Sequence, residues 1–206
     1  YSQGIFLDQR DNRLALRGVT QPGQTVLNTF AYTGAFSVAA GLAGATTTTL
    51  DLSQPYLDWA RRNLSHNRLN PDQHFFCKGD TFHWLRRFAK QGRKFDTIVL
   101  DPPTFSRDKD GKVFRVEKDY HRLAALAASC LAAHGTLLAC TTAYLTAKGE
   151  GDRLHSNPSL ASLIDFSEPG DIGVFVDEEQ IAAFEKTMEQ QGYLDGCAMS
   201  NSFSML

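Results

Sequence analysis

Three aspartates follow predicted strands of this 206-residue chain, each at the point where a strand would end. Asp51 comes after TTTTL, Asp80 after FFCKG, and Asp101 after TIVL and directly before Pro102 and Pro103. Proline cannot donate a hydrogen bond to a neighbouring strand and keeps the preceding residue extended, so the strand before the prolines must stop there. In open α/β sheets, ligands bind beyond the carboxyl ends of the strands. The three acids therefore predict a binding site at that edge of a sheet.

The turn after the first predicted strand, AYTGAF (31–36), favours a particular kind of ligand. Gly34 lets the backbone approach a ligand, and the helix that follows offers N–H donors. Asp51 lies seventeen residues beyond Gly34, where a carboxylate can accept hydrogen bonds from two ribose hydroxyls. The turn lacks the G-x-G-x-x-G pattern of dinucleotide folds and the G-x-x-x-x-G-K-[ST] pattern of phosphate loops, which argues against NAD and ATP. A ligand with a ribose and an adenine but no pyrophosphate fits better.

Simpler structural roles are open for some polar and aromatic residues. Asp80 precedes TFHWL and could be an ordinary helix cap, whereas Ser53 is the predicted cap of the helix after Asp51. Trp59 and Trp84 stand at core spacing on predicted helices, so we interpret both as packing residues.

Hydrophobic periodicity predicts strands that alternate with helices. The predicted strands cover residues 25–30, 46–53, 74–80, 94–103 and 135–142. The predicted helices cover residues 36–45, 53–70, 81–92, 117–135 and 177–192, with an irregular stretch at 146–175 and a closing strand or hairpin within 193–206. This alternation predicts an α/β fold: a doubly wound, mainly parallel sheet with helices on both faces.

Composition favours one globular domain, because 42% of the residues are apolar and 21% are charged. There is no run of about 18 apolar residues and no signal segment, so we expect a cytoplasmic protein that does not enter a membrane. No CxxC pair is present and no metal site is predicted; the scattered cysteines are expected to be buried thiols (Cys77, Cys130, Cys140 and Cys197).

Charge is unevenly distributed although the net charge is only −2. Residues 61–122 hold 15 Lys or Arg against 8 Asp or Glu, while the rest of the chain holds 6 against 15. The basic middle could bind a polyanion such as RNA, or it could consist of solvated helix faces. Within it, residues 104–122 mix cations with aromatic residues, as an RNA-binding loop would, although a solvated loop is the alternative.

Five segments together resemble a known family. They are GIFLDQRDNR (4–13), VLNTFAYTGAFSVAA (26–40), LDLSQPYLDWARRN (50–63), GDTFHWL (79–85) and LDPPTFS (100–106). This set resembles the class I S-adenosylmethionine-dependent methyltransferases related to the 23S ribosomal RNA enzymes that modify cytosine C5 or guanine N7. The resemblance covers roughly residues 1–142. It implies a Rossmann-like fold, S-adenosylmethionine as the cofactor and an RNA base as the substrate.

The resemblance also implies a set of cofactor-binding residues. Backbone around Ala31, Tyr32 and Gly34 would face the methionine part of the cofactor. The ribose hydroxyls would be bound at Asp51, next to Leu52, and the adenine amino group at Asp80, next to Thr81. In FLDQRDNR, the segment that closes over the cofactor, Gln9 and Arg10 would contribute, with Arg10 as a partner for the carboxylate; an exposed ion pair is the alternative for Arg10.

The same comparison implies where the target base lies. Asp101, Pro102 and Pro103 would hold the base near the reactive methyl group, with Phe105 as a stacking surface. The methyl group on a sulfonium is already activated, so the protein has to align donor and acceptor in line and needs no metal.

The position of cysteines bears on which atom is methylated. Guanine N7 can attack directly with its lone pair, whereas cytosine C5 needs a cysteine that adds at C6. In the cytosine relatives that cysteine follows the fifth strand, where this chain has Thr142; Cys140, two residues earlier, is interpreted as a packing residue. The guanine relatives have an Asn-rich segment there, which CTTAYLTAKG lacks. The base therefore stays open.

The predicted organisation has two parts. Residues 1–20 are expected to close over the cofactor, residues 21–206 to form the methyltransferase domain, and a substrate-binding domain is expected upstream of residue 1. The favoured function is methylation of a 23S ribosomal RNA base by direct in-line transfer. Methylation of a small molecule or protein, and a non-catalytic binding module, are the alternatives.

Overall fold

A six-stranded sheet forms the centre of the computed structural model, which describes residues 4–7, 9–103, 105–107, 113–141 and 172–177 and the side chains of residues 4–7, 9–103 and 122–140. The strand order is β3-β2-β1-β4-β7-β8. The strands of this sheet are β1 (Thr25–Thr29), β2 (Thr46–Asp51), β3 (Phe75–Lys78), β4 (Phe95–Leu100), β7 (Leu131–Thr141) and β8 (Ile172–Asp177). A separate antiparallel pair consists of β5 (Phe105–Arg107) and β6 (Val113–Arg115).

Helices connect the parallel strands and pack on the sheet. They are α1 (Arg10–Val19), α2 (Ala35–Leu42), α3 (Gln54–His66), α4 (Thr81–Lys90) and α5 (Val116–Ala128). Contacts join α1 to α2 and α2 to α3, while α4 contacts α5, as expected when right-handed crossovers place helices on opposite faces. Strands β3, β2, β1, β4 and β7 are mutually parallel, so the predicted doubly wound fold is confirmed.

Apolar strands and helix faces form the core on both sides of the sheet. In β4, residues 97–100 are all buried, as expected for a strand covered on both faces. On α3, the buried residues are Leu57, Ala60 and Leu64. At the amino edge of the sheet, Asp96 Oδ2 accepts hydrogen bonds from the N–H and hydroxyl of Thr25, at 2.7 and 2.8 Å. The strands that carry the predicted binding site are therefore held in a well-packed core.

The structure corrects the sequence-based boundaries in the second half of the chain. The helix predicted for 117–135 ends at Ala128, and β7 begins at Leu131. A shift of register between Phe95 and Thr97 in β4 accompanies a positive φ of 61° at His134. This bulge hid the start of the strand, because an irregular stretch with Gly135 resembles a helix end.

Residues after 171 also differ from the prediction where they are described. Ile172–Asp177 form β8, antiparallel to β7, although 172–175 were assigned to an irregular stretch. The predicted helix at 177–192 and the closing strand or hairpin at 193–206 lie outside the described residues, apart from Asp177. No helix among the described residues combines the length and apolar character needed to cross a membrane.

Candidate cofactor and substrate site

The three strand-end aspartates meet at one edge of the sheet. Thr29, the last residue of β1, is in register with Leu50 of β2 and with Leu100 of β4. Asp51 is in register with Lys78 of β3, and Asp80 follows two residues later. The strand order reverses between β1 and β4, which is where ligands bind in doubly wound sheets. The predicted clustering at this edge is confirmed, while the roles of the individual acids stay predictions.

Asp51 is half-buried and holds two backbone groups. Its Oδ2 accepts the N–H of Tyr32 at 2.8 Å, and its Oδ1 accepts the N–H of Ser53 at 2.8 Å. Burial raises the pKa of this carboxyl, although hydrogen bonds from the backbone of Ser53, Tyr32 and Leu52 act in the opposite direction. Ser53 occupies the predicted N-cap position of α3 but makes no side-chain cap hydrogen bond. Asp51 thus joins the ends of β1 and β2 and presents its carboxylate at the edge.

The loop between β1 and α2 has an unusual backbone. Phe30, Tyr32 and Gly34 have positive φ values of 51°, 48° and 76°. The N–H of Ala31 donates to the Leu50 carbonyl and that of Gly34 to the Ala31 carbonyl. Because these N–H groups have acceptors within the protein, the N–H groups at the start of α2 are the better donors for a ligand.

Gly34 is required by the neighbouring helix as well as by its own backbone. A Cβ at this position would lie 2.7 Å from the Cβ of Ala60 in α3. The Thr33 hydroxyl donates to the Gly4 carbonyl, and Asn63 Nδ2 donates to the Thr33 carbonyl at 2.9 Å. The loop is therefore fixed by β2, by α3 and by the N-terminal segment.

An aromatic cluster surrounds the side chain of Tyr32. Its ring contacts Phe6, Tyr56 and Trp59 at centroid distances of 5.5, 4.6 and 6.3 Å. The Tyr32 hydroxyl accepts the N–H of Gly4 at 3.1 Å. Tyr56 and Trp59 are 38% and 36% exposed, so Trp59 lies outside the buried core, although its ring packs against Tyr32 as expected for a packing residue. The two residues form a stripe beside the buried face of α3 and contact the loop instead.

Gln9 is buried at the start of α1. It is only 1% exposed, and its Oε1 accepts hydrogen bonds from Asn12 Nδ2 at 2.8 Å and from the Cys140 thiol at 3.7 Å. Its Nε2 is buried and has no hydrogen-bond partner among the described residues. A buried amide donor of this kind is costly to leave unpaired, which points to a ligand oxygen as its acceptor. Arg10, by contrast, is exposed at the first position of α1.

The aspartate that follows β3 caps the next helix. Asp80 is the N-cap of α4, and its Oδ1 accepts the N–H of His83 at 2.8 Å. This agrees with the simpler of the two interpretations and leaves Oδ2 without a described partner. Thr81 is buried, whereas Leu52 beside Asp51 is exposed at the site edge. Trp84 donates its indole N–H to the Lys78 carbonyl at 3.0 Å and packs against Phe88, as predicted for a packing residue.

The Asp101-Pro102-Pro103 turn follows β4 directly. Asp101 is half-buried, Pro102 is buried and Pro103 is exposed. Phe105 begins β5 and is paired with Arg115 of β6. The segment interpreted as a loop at 104–122 is therefore partly an antiparallel pair followed by α5, and the side chain of Phe105 lies outside the described set.

The described cysteines are buried and form no disulfide with one another. Cys77 and Cys130 have a raised thiol pKa because of burial. Cys140 belongs to a buried cluster with Val99 and Leu138, which agrees with its interpretation as a packing residue. Cys197 and Thr142 lie outside the described residues. In the part of the chain that is described, His, Cys, Asp and Glu side chains do not gather into a group that could hold a metal ion.

Fold and site together define a class of protein. A doubly wound sheet with a carboxylate after β2, a buried amide near the switch point and no pyrophosphate-binding turn is suited to an adenosyl ligand. A model of the S-adenosylmethionine-dependent methyltransferase family matches residues 1–164, and the chain belongs to this family. The predicted enzyme class and cofactor, S-adenosylmethionine, are thereby confirmed.

Named relatives and solved structures agree with this assignment. The chain is 42% identical over 139 residues to ribosomal RNA large subunit methyltransferase I of Pseudoalteromonas translucida, covering 67% of this chain and 35% of the relative. It is 40% identical over 136 residues to ribosomal RNA large subunit methyltransferase K of Neisseria meningitidis serogroup B, covering 65% and 38%. The crystal structure of SMU.776 in complex with SAH superposes with a TM-score of 0.64 at 39% identity, covering 68% of this chain and 37% of that one.

The residues present suit this cofactor. Gln9 Nε2 offers a buried donor for a carboxylate or carbonyl oxygen, and the Asp51 carboxylate can accept from ribose hydroxyls. The exposed side chain of Leu52 stands next to Asp51, where an adenine ring can pack. Sequence patterns missed the contact of Tyr56 with Tyr32 and that of Gln9 with Cys140, since partners far apart in the sequence leave no local signal.

Proposed function

We propose that this chain methylates a base of large-subunit ribosomal RNA. The clustering of Asp51, Asp80 and Asp101 at one sheet edge supports the proposal, because the carboxylate that we expect to bind the cofactor, Asp51, lies at the same edge as the Asp101-Pro102-Pro103 turn that we expect to hold the base. The two relatives described above are named for the same substrate class. The chain spans 35% and 38% of their lengths. A cytoplasmic location accompanies such a substrate and is part of the proposal.

The roles of the residues follow from the geometry of in-line transfer. When bound, S-adenosylmethionine supplies a methyl group on a positively charged sulfur, which is electrophilic without further activation. Asp51 and Gln9 fix the cofactor, and Asp80 and Thr81 lie where the adenine end would be bound. Asp101 and the two prolines orient the acceptor base so that its attacking atom points along the carbon–sulfur bond. Alignment and exclusion of water are the protein's main contributions.

The N-terminal segment has a separate part in this proposal. Residues 1–20 close over the cofactor, residues 21–206 carry the methyltransferase fold, and an upstream domain contributes substrate recognition. The position of Gln9 and the contacts of Gly4 with Tyr32 and Thr33 support the first of these assignments.

The decisive test separates cofactor binding from methyl transfer. Asp101→Ala is expected to leave S-adenosylmethionine affinity unchanged in calorimetry while lowering transfer of labelled methyl to 23S ribosomal RNA at least about 100-fold, because the acceptor loses its alignment. Asp58→Ala, an exposed acid on α3, is the matched control and should retain both properties.

Two outcomes would contradict the proposal. A fully active Asp101→Ala variant would remove Asp101 from the substrate site. If the unmodified chain binds S-adenosylmethionine but transfers methyl to a small molecule or protein and not to RNA, the substrate class is wrong while the cofactor site stands.

A further inference from the structure

Basic residues are concentrated around one edge of the sheet. Residues 61–94, which contain the C-terminal half of α3 and all of β3 and α4, hold 9 of the chain's 21 Lys and Arg but only 2 of its 23 Asp and Glu. We call the Lys and Arg residues of this range the basic rim. Because the whole chain has a net charge of −2, the rim is a local feature and does not follow from overall basicity.

The rim surrounds the exposed edge strand on both faces. β3 is the terminal strand of the described sheet. The Arg61 guanidinium lies 4.4 Å from the ring centre of Phe76, and that of Arg93 lies 5.3 Å from the ring centre of Phe75. Neighbouring residues of a strand point to opposite faces, so one guanidinium lies on each side. Phe75 is 53% exposed, which leaves an aromatic ring between the cations.

Few of these cations have a carboxylate partner among the described residues. Asp72 pairs with Arg61 at 3.3 Å, and Asp80 caps α4. For the exposed cations Arg62, Lys78 and Lys90, the described residues provide no carboxylate within ion-pair distance. The rim therefore produces a positive potential along the strand edge.

The backbone at Arg68 supports a functional origin for this charge. Arg68 follows the end of α3 and has a positive φ of 61°, a conformation that glycine adopts with less strain. The Leu69 N–H donates to the Leu64 carbonyl at 3.0 Å, which completes the helix-end motif. A glycine would suit this position better, yet a cation is present.

We propose that the basic rim binds the sugar-phosphate backbone of the RNA substrate, with Phe75 as a stacking surface for an unpaired base. This inference rests on the proposed function, because it supplies a second contact surface for the same substrate. Cations that follow the backbone and exposed rings that stack on bases are the features of proteins that bind single strands without sequence preference. Several rim residues precede β3 or β4 and so lie near the amino ends of these strands. The proposed site of methyl transfer is at the carboxyl ends, about 15 to 20 Å away. The RNA must therefore extend well beyond the target base.

Two exposed rim residues provide a direct test. In the double variant Arg62→Gln/Lys90→Gln, affinity for a labelled 20-nucleotide single-stranded RNA is expected to fall roughly tenfold at low salt. The slope of log affinity against log salt should decrease by about 1.4, since each phosphate contact on a single strand contributes about 0.7. Arg17→Glu on α1 also changes the net charge by two and is the matched control, with affinity expected to stay within about twofold. Lys78→Gln on β3 tests the rim independently and should reduce the slope by about 0.7.

The outcomes distinguish this inference from the proposed function. Unchanged affinity and salt slope in the rim variants, with normal methyl transfer to ribosomal RNA, would overturn the rim and leave the function intact. Self-association of the variants in light scattering, without loss of RNA affinity, would also overturn it, because the cations would then only protect the edge strand from pairing. Loss of RNA affinity in the rim variants alone would support the rim even if methyl transfer to RNA were not found in the unmodified chain.

Discussion

Asp51 has a structural role in the fold and, in the function that we propose, binds the cofactor with the same carboxylate. Its oxygens receive the N–H groups of Tyr32 and Ser53, which fixes the side chain before any ligand arrives. Each oxygen keeps a further lone pair for a ribose hydroxyl. Preorganisation of this kind reduces the entropy lost on binding. Substitution of Asp51 should therefore affect the cofactor more strongly than substitution of an exposed acid.

The first residue-scale prediction concerns affinity. Asp51→Ala is expected to weaken S-adenosylmethionine binding roughly 30- to 100-fold, because hydrogen bonds to a charged group contribute about 1.5–3 kcal/mol. The same titration at falling pH should show affinity being lost at a higher pH than for an ordinary aspartate, since the pKa of Asp51 is raised by burial and the protonated carboxyl is a poorer acceptor. In Asp51→Asn this component of the pH dependence should disappear. An unchanged affinity in Asp51→Ala would rule out the ribose assignment.

At the residue scale, sequence reasoning located acids but not their internal partners. Asp51, Asp80 and Asp101 were identified because strand ends are visible as changes in hydrophobic pattern. Capping of α4, in which Asp80 accepts the N–H of His83, was one of the two roles predicted for Asp80. The hydrogen bond between Cys140 and Gln9 spans 131 positions, and the contact between Gly34 and Ala60 depends on how α3 packs. Such pairs are determined by tertiary structure and have no local signature.

At the element scale, β2 is joined to the segment before β3 by an imidazole. His74 Nδ1 accepts the N–H of Thr47 at 3.1 Å and lies 2.9 Å from the Thr47 hydroxyl. An accepting Nδ1 must be unprotonated, and burial lowers the pKa of His74. The neutral ring is therefore part of the folded structure.

This contact predicts a pH-dependent stability. The pKa of His74 is lower in the folded chain than its ordinary value of 6.5, so its contribution is fully present above pH 6.5 and is lost as pH falls toward the folded pKa. We expect the difference in unfolding free energy between the unmodified chain and His74→Gln to shrink between pH 7.5 and pH 5. Urea denaturation at several pH values measures it. A constant difference across that range would show that the imidazole does not contribute through its neutral form.

The helices and strands were well predicted where the hydrophobic periodicity agreed with the turn and capping residues at their ends. The first four strands and α2, α3 and α4 lie close to their predicted positions. Errors occur where tertiary contacts override the local pattern. The strand predicted for 135–142 starts too late, because the bulge at His134 interrupts the pattern of β7. β8 depends on pairing with β7, which is far from it in the sequence. A strand of this type is stabilised by its partner, so its sequence alone is a weak signal.

At the scale of the whole molecule, hydrogen bonds attach the N-terminal residue Gly4 to the loop between β1 and α2. Gly4 contacts both Tyr32 and Thr33 through hydrogen bonds, and Arg13 donates to the Phe6 carbonyl at 2.7 Å. Closure of the site by residues 1–20 would therefore depend on packing around Gly4.

A pair of glycine substitutions tests this dependence. Gly4 has a φ of +90°, and a Cβ there would lie 2.7 Å from the Trp59 ring, so Gly4→Ala should displace the segment at a cost of about 1–2 kcal/mol and weaken cofactor binding. Gly18→Ala in α1 meets no atom within 4 Å and should stabilise the chain by about 0.5–1 kcal/mol with unchanged affinity. Denaturation and calorimetry provide both readouts. Cofactor binding in Gly4→Ala equal to that of the unmodified chain would contradict closure by the N-terminal segment.

The loop between β1 and α2 shows that a motif can be defined by its backbone conformation and not by its residue types. Phe30, Tyr32 and Gly34 adopt positive φ values, yet only one of them is glycine; at Tyr32, ring contacts and a hydrogen bond to Asp51 stabilise this conformation. A search for a glycine-rich sequence pattern overlooks such a loop, although its backbone adopts the positive φ values that glycine permits. Proteins that keep the shape and change the letters should be recognised by comparing backbone angles.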